Sequence, residues 1–170
     1  LFDERFLERP RILLGPADVG DEVTTSTWIS NDLACFGTST GFLISVNPST
    51  KTAVYRKQVV PFSTITWLAS LTNDCVAVGD GRYGRITVLD VRRQHLLLFF
   101  LATGPVCVTA GVVMKSDTGN RLACGFDDGH IELFALTKAL LQKAKAATDK
   151  TLLHQSETQL SFFADQLAHS

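Results

Sequence analysis

One sentence is written three times in this chain, and it limits the folds available more than any other feature. The third copy is Leu122-Ala123-Cys124-Gly125-Phe126-Asp127-Asp128-Gly129-His130-Ile131-Glu132-Leu133-Phe134, and the second is Cys75-Val76-Ala77-Val78-Gly79-Asp80-Gly81-Arg82-Tyr83-Gly84-Arg85-Ile86-Thr87-Val88-Leu89-Asp90. The first is Leu33-Ala34-Cys35-Phe36-Gly37-Thr38-Ser39-Thr40-Gly41-Phe42-Leu43-Ile44-Ser45-Val46. Each reads as a strand, a tight turn and a second strand, because apolar residues alternate or run on either side of a Gly-rich break. The turn glycine falls at 41, 84 and 129, so the copies step by 43 and 45 residues.

A period of roughly 40–45 residues with four strands per unit is the mark of a propeller blade. The expected fold class is therefore all-β, with β-propeller blades of four antiparallel strands, an incomplete ring and one short inserted or C-terminal helix. In the first blade the strands are expected at 24–30, 33–37, 42–46 and 52–59, with Asn47-Pro48-Ser49-Thr50-Lys51 as a turn cluster. The second repeats the plan at 64–69, 75–79, 85–89 and 95–101. The third follows at 106–112, 122–125 and 130–136, with Thr118-Gly119-Asn120 as its first hairpin turn. Residues 137–150 form a helical insertion, capped by Thr137, with Leu136, Leu140, Leu141 and Ala144 at helical spacing. Residues 1–22 read as the end of a preceding blade or an N-terminal arm, and 151–170 as an outer strand and the start of a fourth blade, or a terminal helix. Trp28, Trp67, Val108 and Phe162 are expected to share one column of the repeat.

Glycines in the turn and the apolar-Ala-x-Gly run before it, together with Gly-x-Ile-x-apolar-apolar after it, carry a family likeness. Over about residues 23–136 the chain resembles a WD-repeat or WD-repeat-like β-propeller. Asp90 stands where that family's Trp-Asp dipeptide often ends, but Leu89 precedes it. The resemblance implies blades that lack the family's stiffening polar tetrad. Three blades and two partial ones do not close a ring of about 4–8, so further blades are expected from other chain or a neighbouring subunit.

Several short motifs suggest chemistry that the repeat explains otherwise. Gly37-Thr38-Ser39-Thr40-Gly41 has the spacing of a nucleophile elbow, but a strand follows it where that chemistry needs a helix. Gly79-Asp80-Gly81-Arg82-Tyr83-Gly84 has the spacing of a dinucleotide fingerprint, again followed by a strand. Its glycines are attributed to hairpin turns that need positive φ. Arg92-Arg93 resembles the paired arginines of phosphoinositide-binding propellers without their flanking Phe and Gly. The innermost strands offer Thr24, Thr25, Thr64, Thr66, Cys107 and Thr109, with no acid or base for a catalytic channel. Lys138, Lys143, Lys145 and Lys150 read as the solvated face of the helix. No catalytic, cofactor or metal site is assigned.

Charge and cysteine usage narrow the partners. Only 19% of residues are charged and the net charge is −1, which gives no global attraction to nucleic acid or an anionic membrane. The cysteines, Cys35, Cys75, Cys107 and Cys124, are too far apart for paired zinc ligation and sit in apolar strands, so buried free thiols are expected. A reducing, intracellular setting follows, cytoplasmic or cytoskeletal and axonemal, with a mitochondrial alternative. Met114 is the only methionine, so a processed chain or part of a longer one is expected. The function expected is a non-catalytic scaffold for protein–protein interaction within a multi-subunit assembly. The alternatives are a phosphoinositide- or nucleic-acid-binding propeller, or an enzyme using the channel. Arg82, Tyr83, Arg85, Asp127, Asp128 and His130 are the expected exposed contact residues.

Overall fold

The computed structural model describes residues 20–117 and 119–147. Eleven strands and one helix follow one another there: β1 (Val23–Ser30), β2 (Leu33–Thr38), β3 (Phe42–Asn47), β4 (Thr52–Gln58), β5 (Ile65–Ser70), β6 (Cys75–Asp80), β7 (Arg85–Asp90), β8 (His95–Leu101), β9 (Val108–Ser116), β10 (Gly119–Phe126), β11 (Ile131–Thr137) and α1 (Lys138–Ala146). They form three antiparallel meanders, β1–β4, β5–β8 and β9–β11. These are propeller blades, four-stranded in the first two cases and three-stranded among the described residues in the third. The outer strand expected at 151–154, the fourth blade and residues 1–19 of the partial blade expected at 1–22 lie outside the described residues.

Burial follows position in the blade. All six residues of β6 are buried, as expected of a central strand covered on both faces. On the outer strand β4 only Tyr55 is buried, which leaves a solvated edge. Two cores fill the spaces between blades. Ile29, Leu33, Cys35 and Leu43 of blade 1 meet Ile65, Leu68, Val76 and Val78 of blade 2. Trp67, Cys75, Ala77, Ile86 and Val88 on the other face of blade 2 meet Val108, Leu122, Cys124 and Leu136 of blade 3.

Threonines bolt neighbouring blades at the innermost strands, each sitting in a register break. The Thr24 hydroxyl lies 2.5 Å from the Ile65 carbonyl and 3.1 Å from Gly37 O. Thr66 donates in the same way to Val108 O of blade 3. Side chains also cross at this level. A Cβ on Gly37 would lie 2.5 Å from Ile65 Cγ2, and one on Gly79 2.8 Å from Val108 Cγ1.

Four expectations need correction. β9 runs to Ser116 and β10 begins at Gly119, so Gly119 and Asn120, expected in the turn, already belong to a strand, because both strands run longer than their counterparts. Trp28 does not share a column with Trp67: Gly37 and Gly79 are equivalent, and they pair with Thr25 and Trp67. Ala110, opposite Gly125, completes that column in place of Val108. Of the glycines at 79, 81 and 84 only Gly84 has positive φ, at 58°; Gly79 and Gly81 are there for close approach, to Val108 and to Thr66.

The helix also differs in detail. Thr137 caps it, accepting a hydrogen bond from Leu140 N at 3.1 Å. Leu141 enters the core between blades 2 and 3, but Leu140 is exposed. Lys145 does not sit on a solvated face: its Nζ lies 3.7 Å from Asp90 and 3.8 Å from Asp74. Lys150 lies outside the described residues.

Candidate protein-interaction surface

The hairpins β2–β3, β6–β7 and β10–β11 emerge at equivalent ends of their sheets because the strand order repeats. A residue at the start of each hairpin bonds back to the segment leading into its own innermost strand. Ser39 N donates to Glu22 O, Gly81 N to Thr64 O, and Asp127 N to Cys107 O, at 2.9, 2.9 and 3.1 Å. A carboxylate completes each link, contributed from a different place each time.

In blade 1 the carboxylate is Asp21, which accepts from Ser39 Oγ at 2.8 Å, Thr40 N at 3.0 Å and the Thr40 hydroxyl. The hydroxyls of Thr38, Thr40 and Ser39 and the Glu22 amide hold its pKa far below the usual carboxylate range. In blade 2 the carboxylate is Asp80, fully buried. Its Oδ1 accepts from Ser63 Oγ at 2.6 Å, Arg82 N at 2.8 Å and Tyr83 N at 3.4 Å. In blade 3 Asp127 accepts from Cys107 N at 2.9 Å, and that bond lowers its pKa. Charge-assisted bonds of this kind contribute about 1.5–3 kcal/mol each where solvent is excluded, a condition that Asp80 meets.

These clamps redistribute the six expected contact residues. Arg82 is exposed at its hairpin tip, its guanidinium 5.1 Å from the ring centroid of half-buried Tyr83. Arg85 is not an exposed contact residue. Its side chain is only 13% exposed, it lies 3.6 Å from Asp80 Oδ2, and it donates to Val59 O at 3.5 Å. Burial lowers its pKa, an effect opposed by the Asp80 charge.

Asp127 and Asp128 are exposed, but both carboxylates are engaged, Asp127 in the clamp and Asp128 with the amide and ring of His130. His130 is half-buried and stacks on Phe126 at 4.6 Å between ring centroids. Its Nδ1 meets Asp128, and its Nε2 lies 3.2 Å from Glu132 Oε1. The hydrogen bond with Asp128 raises its pKa, with Glu132 adding to the shift. Glu132 also accepts from Thr103 N at 2.8 Å, which ties blade 3 to the linker after β8. The two hairpins thus present a cationic, aromatic tip beside an acidic one that encloses a histidine.

Sequence reasoning missed Asp21, Asp80 and Glu132. Asp80 shares its column with Thr38 and Phe126, so the repeat gave no signal, and the Thr103 amide that Glu132 accepts from is 29 residues away.

At the opposite end of the sheets, Arg92 is occupied. It lies 2.8 Å from Asp32, 2.9 Å from Asp74 and 3.3 Å from Ser30 Oγ. Asp90 is buried and caps the β7–β8 turn through Arg93 N at 2.9 Å. Cys35, Cys75 and Cys124 are buried free thiols, and burial pushes Cys35 up to about 12 and Cys124 to about 11. Cys107 is only half-buried. Among the described residues no group of three or more His, Cys, Asp or Glu could hold a metal ion.

The meanders and their packing have counterparts among solved structures. The Saccharomyces cerevisiae protein Sqt1 superposes with a TM-score of 0.59 at 13% identity, over 68% of this chain and 31% of that one. The C-terminal WD40 domain of Sif2 gives 0.56 at 13% identity, over 67% of this chain and 34% of that one. The fold is that of WD40-like propeller blades. The computationally designed Ika4 protein gives 0.51 at 21% identity, over 68% of this chain and 66% of that one. The aligned part therefore spans about a third of Sqt1 and of the Sif2 domain. No protein-family model and no curated protein matches the chain by sequence. In the WD40-like blades described here, Asp21, Asp80 and Asp127 brace the hairpins that the resemblance leaves without the family's tetrad.

Proposed function

We propose that the chain is a non-catalytic scaffold that docks other proteins within a larger assembly, and that the hairpin end of blades 2 and 3 is its contact surface. The observation that carries this reading is the rigid presentation of Arg82 and Tyr83. Their backbone amides are fixed on the buried Asp80, while the Arg82 side chain has no ion-pair partner among the described residues. Arg and Tyr supply contact area and hydrogen bonds at little entropic cost when the backbone is already fixed. The neighbouring acidic hairpin gives the surface both signs of charge, which sets the orientation of a complementary partner.

The alternatives have less to stand on. Phosphate recognition by Arg92 would have to displace two carboxylates, and Lys145 is similarly engaged. The innermost-strand hydroxyls of Thr24, Thr66 and Thr109 are committed to carbonyls, which leaves them poorly placed for channel chemistry.

The test is quantitative native co-purification from the source cells, comparing wild type with Arg82→Glu/Tyr83→Ala and with Arg92→Glu. Proteins retained stoichiometrically by wild type are expected to fall at least about tenfold with the double variant, a loss of about 1.4 kcal/mol. They should persist with Arg92→Glu. Equal retention by all three would overturn the assignment, and urea titrations of each protein verify folding.

A further inference from the structure

Each junction between described blades is built from the same parts. A β-branched side chain just before the threonine of an innermost strand enters a gap opposite a glycine of the preceding blade. Ile65 fills the gap at Gly37 and Val108 the gap at Gly79, and both side chains are fully buried. The threonine of the preceding blade bonds to the carbonyl of the inserted residue, as Thr24 does to Ile65 and Thr66 to Val108. The apolar face of that preceding blade covers the rest.

Blade 3 has this face, and it is open. Gly125 is the equivalent glycine, yet a Cβ there would meet only Thr109 Oγ1, at 3.9 Å. Thr109 is the equivalent threonine, and among the described residues its hydroxyl bonds only to Gly125 O of its own blade, at 3.0 Å. Around the gap the register lines up Ala110–Gly125–Ile131, Val112–Ala123–Leu133 and Met114–Arg121–Ala135 across β9, β10 and β11. Val112, Met114, Ile131 and Leu133 are 57, 51, 73 and 67% exposed, whereas their counterparts on blade 2 lie in a core. A terminal repeat that ended the stack would carry a polar outer face instead.

The matching insert stands at the other end of the same molecule. Val23 precedes Thr24 as Ile65 precedes Thr66 and Val108 precedes Thr109, but Val23 is 46% exposed. Trp28, farther along β1, is 60% exposed. Ile44 and Val46 of blade 1 are buried, so the available surface there runs along the innermost strand. The innermost strands supply most of the backbone approach at each described junction, β1 with β5 and β5 with β9, and side chains of β6, β10 and β11 add apolar cover there.

We propose that blade 3 of one molecule receives blade 1 of a second copy of this chain, with Val23 entering the gap at Gly125 and its carbonyl accepting from Thr109. The contact is head-to-tail, so two copies related by a twofold axis satisfy both ends at once. Together they supply six described blades, within the about 4–8 of closed propellers. This rests on the reading of the chain as an open propeller scaffold, and it names one subunit that completes the ring.

Sedimentation velocity and native mass spectrometry of the full chain test it. Wild type is expected to be a dimer. Gly125→Val fills the gap and Val23→Asp spoils the insert, and each should weaken dimerisation at least about tenfold, while Val23→Ile retains it. A mixture of Gly125→Val with Val23→Asp should recover a heterodimer, because one intact insert still meets one intact gap. Wild type that stays monomeric at all accessible concentrations overturns the proposal. So does a dimer indifferent to Gly125→Val, or a monomer that Gly125→Val destabilises, which would place a segment of the same chain in the gap. Urea unfolding of the isolated variants checks that each is folded. Arg82→Glu/Tyr83→Ala should leave the dimer intact, so failure here is distinguishable from failure of the hairpin surface.

Discussion

Gly41 and Gly129 share a left-handed backbone, with φ of 83° and 90°, but only Gly41 is crowded. A Cβ on Gly41 would lie 1.8 Å from the Val60 carbonyl oxygen, whereas one on Gly129 would meet nothing within 4 Å. Gly129→Ala should therefore cost only the left-handed penalty, about 1–2 kcal/mol. Gly41→Ala adds a backbone clash and should cost about 4 kcal/mol or more. Urea unfolding of the two variants measures the difference, and equal losses would mean that φ alone decides.

His130 supplies a second test at this scale. Asp128 and Glu132 flank its ring, Phe126 stacks on it, and Glu132 is itself held by Thr103 N. Its folded pKa is raised, so its contribution to stability is fully present below the unfolded value of about 6.5 and is lost as pH rises through the folded value. An NMR titration of the His130 ring should show a midpoint above about 6.5. Asp128→Asn should move it down, because the largest cause of the shift is removed. A wild-type midpoint at or below that value would contradict the geometry.

Among the elements, α1 depends most on its surroundings. At nine residues it would be marginal alone. The Thr137 cap satisfies one of its first amides, and Lys143 and Lys145 sit in the last turn where cations favour the helix dipole. Leu141 fixes it to the core of blades 2 and 3, and Lys145 fixes it to Asp74 and Asp90. Thr137→Ala should lower stability by about 1 kcal/mol, and Leu141→Ala by about 2–4 kcal/mol. Hydrogen exchange should show the Thr137 effect confined to the helix amides. A global loss of protection from the cap variant would show that the helix and the blades unfold as one unit.

For the whole molecule, the junction between blades 2 and 3 is the place to look for coupling. Trp67 Nε1 donates to Gly111 O at 2.8 Å, and its ring lies where a Cβ on Gly111 would come within 2.7 Å. Stacked repeats gain stability from each interface separately. Trp67→Ala, costing about 3–5 kcal/mol, should deprotect β5–β11 in hydrogen exchange and leave β2 and β3 comparatively protected. Uniform deprotection would instead indicate a single cooperative unit.

The amino-acid sequence by itself determined the blade plan. The alternation of β2, β3, β6, β7, β10 and β11, and the positive-φ glycines at 41, 84 and 129, act over little more than a dozen residues, so the hairpins are legible without any partner. The same holds for the Thr137 cap and the helix that follows it. Tertiary structure decided the alignment of the innermost strands: Gly37 pairs with Thr25 as Gly79 pairs with Trp67, which leaves Trp28 three residues beyond the column of Trp67. It also decided which polar residues brace and which remain exposed. Arg85 is drawn onto Asp80 and Val59, while Arg82, three residues earlier, stays at the tip. Ser63, Asp80, Thr103 and Glu132 find partners 17 and 29 residues away, a distance over which no local pattern extends. Periodicity and turn chemistry are properties of adjacent residues, but burial and pairing belong to whatever the next blade brings alongside.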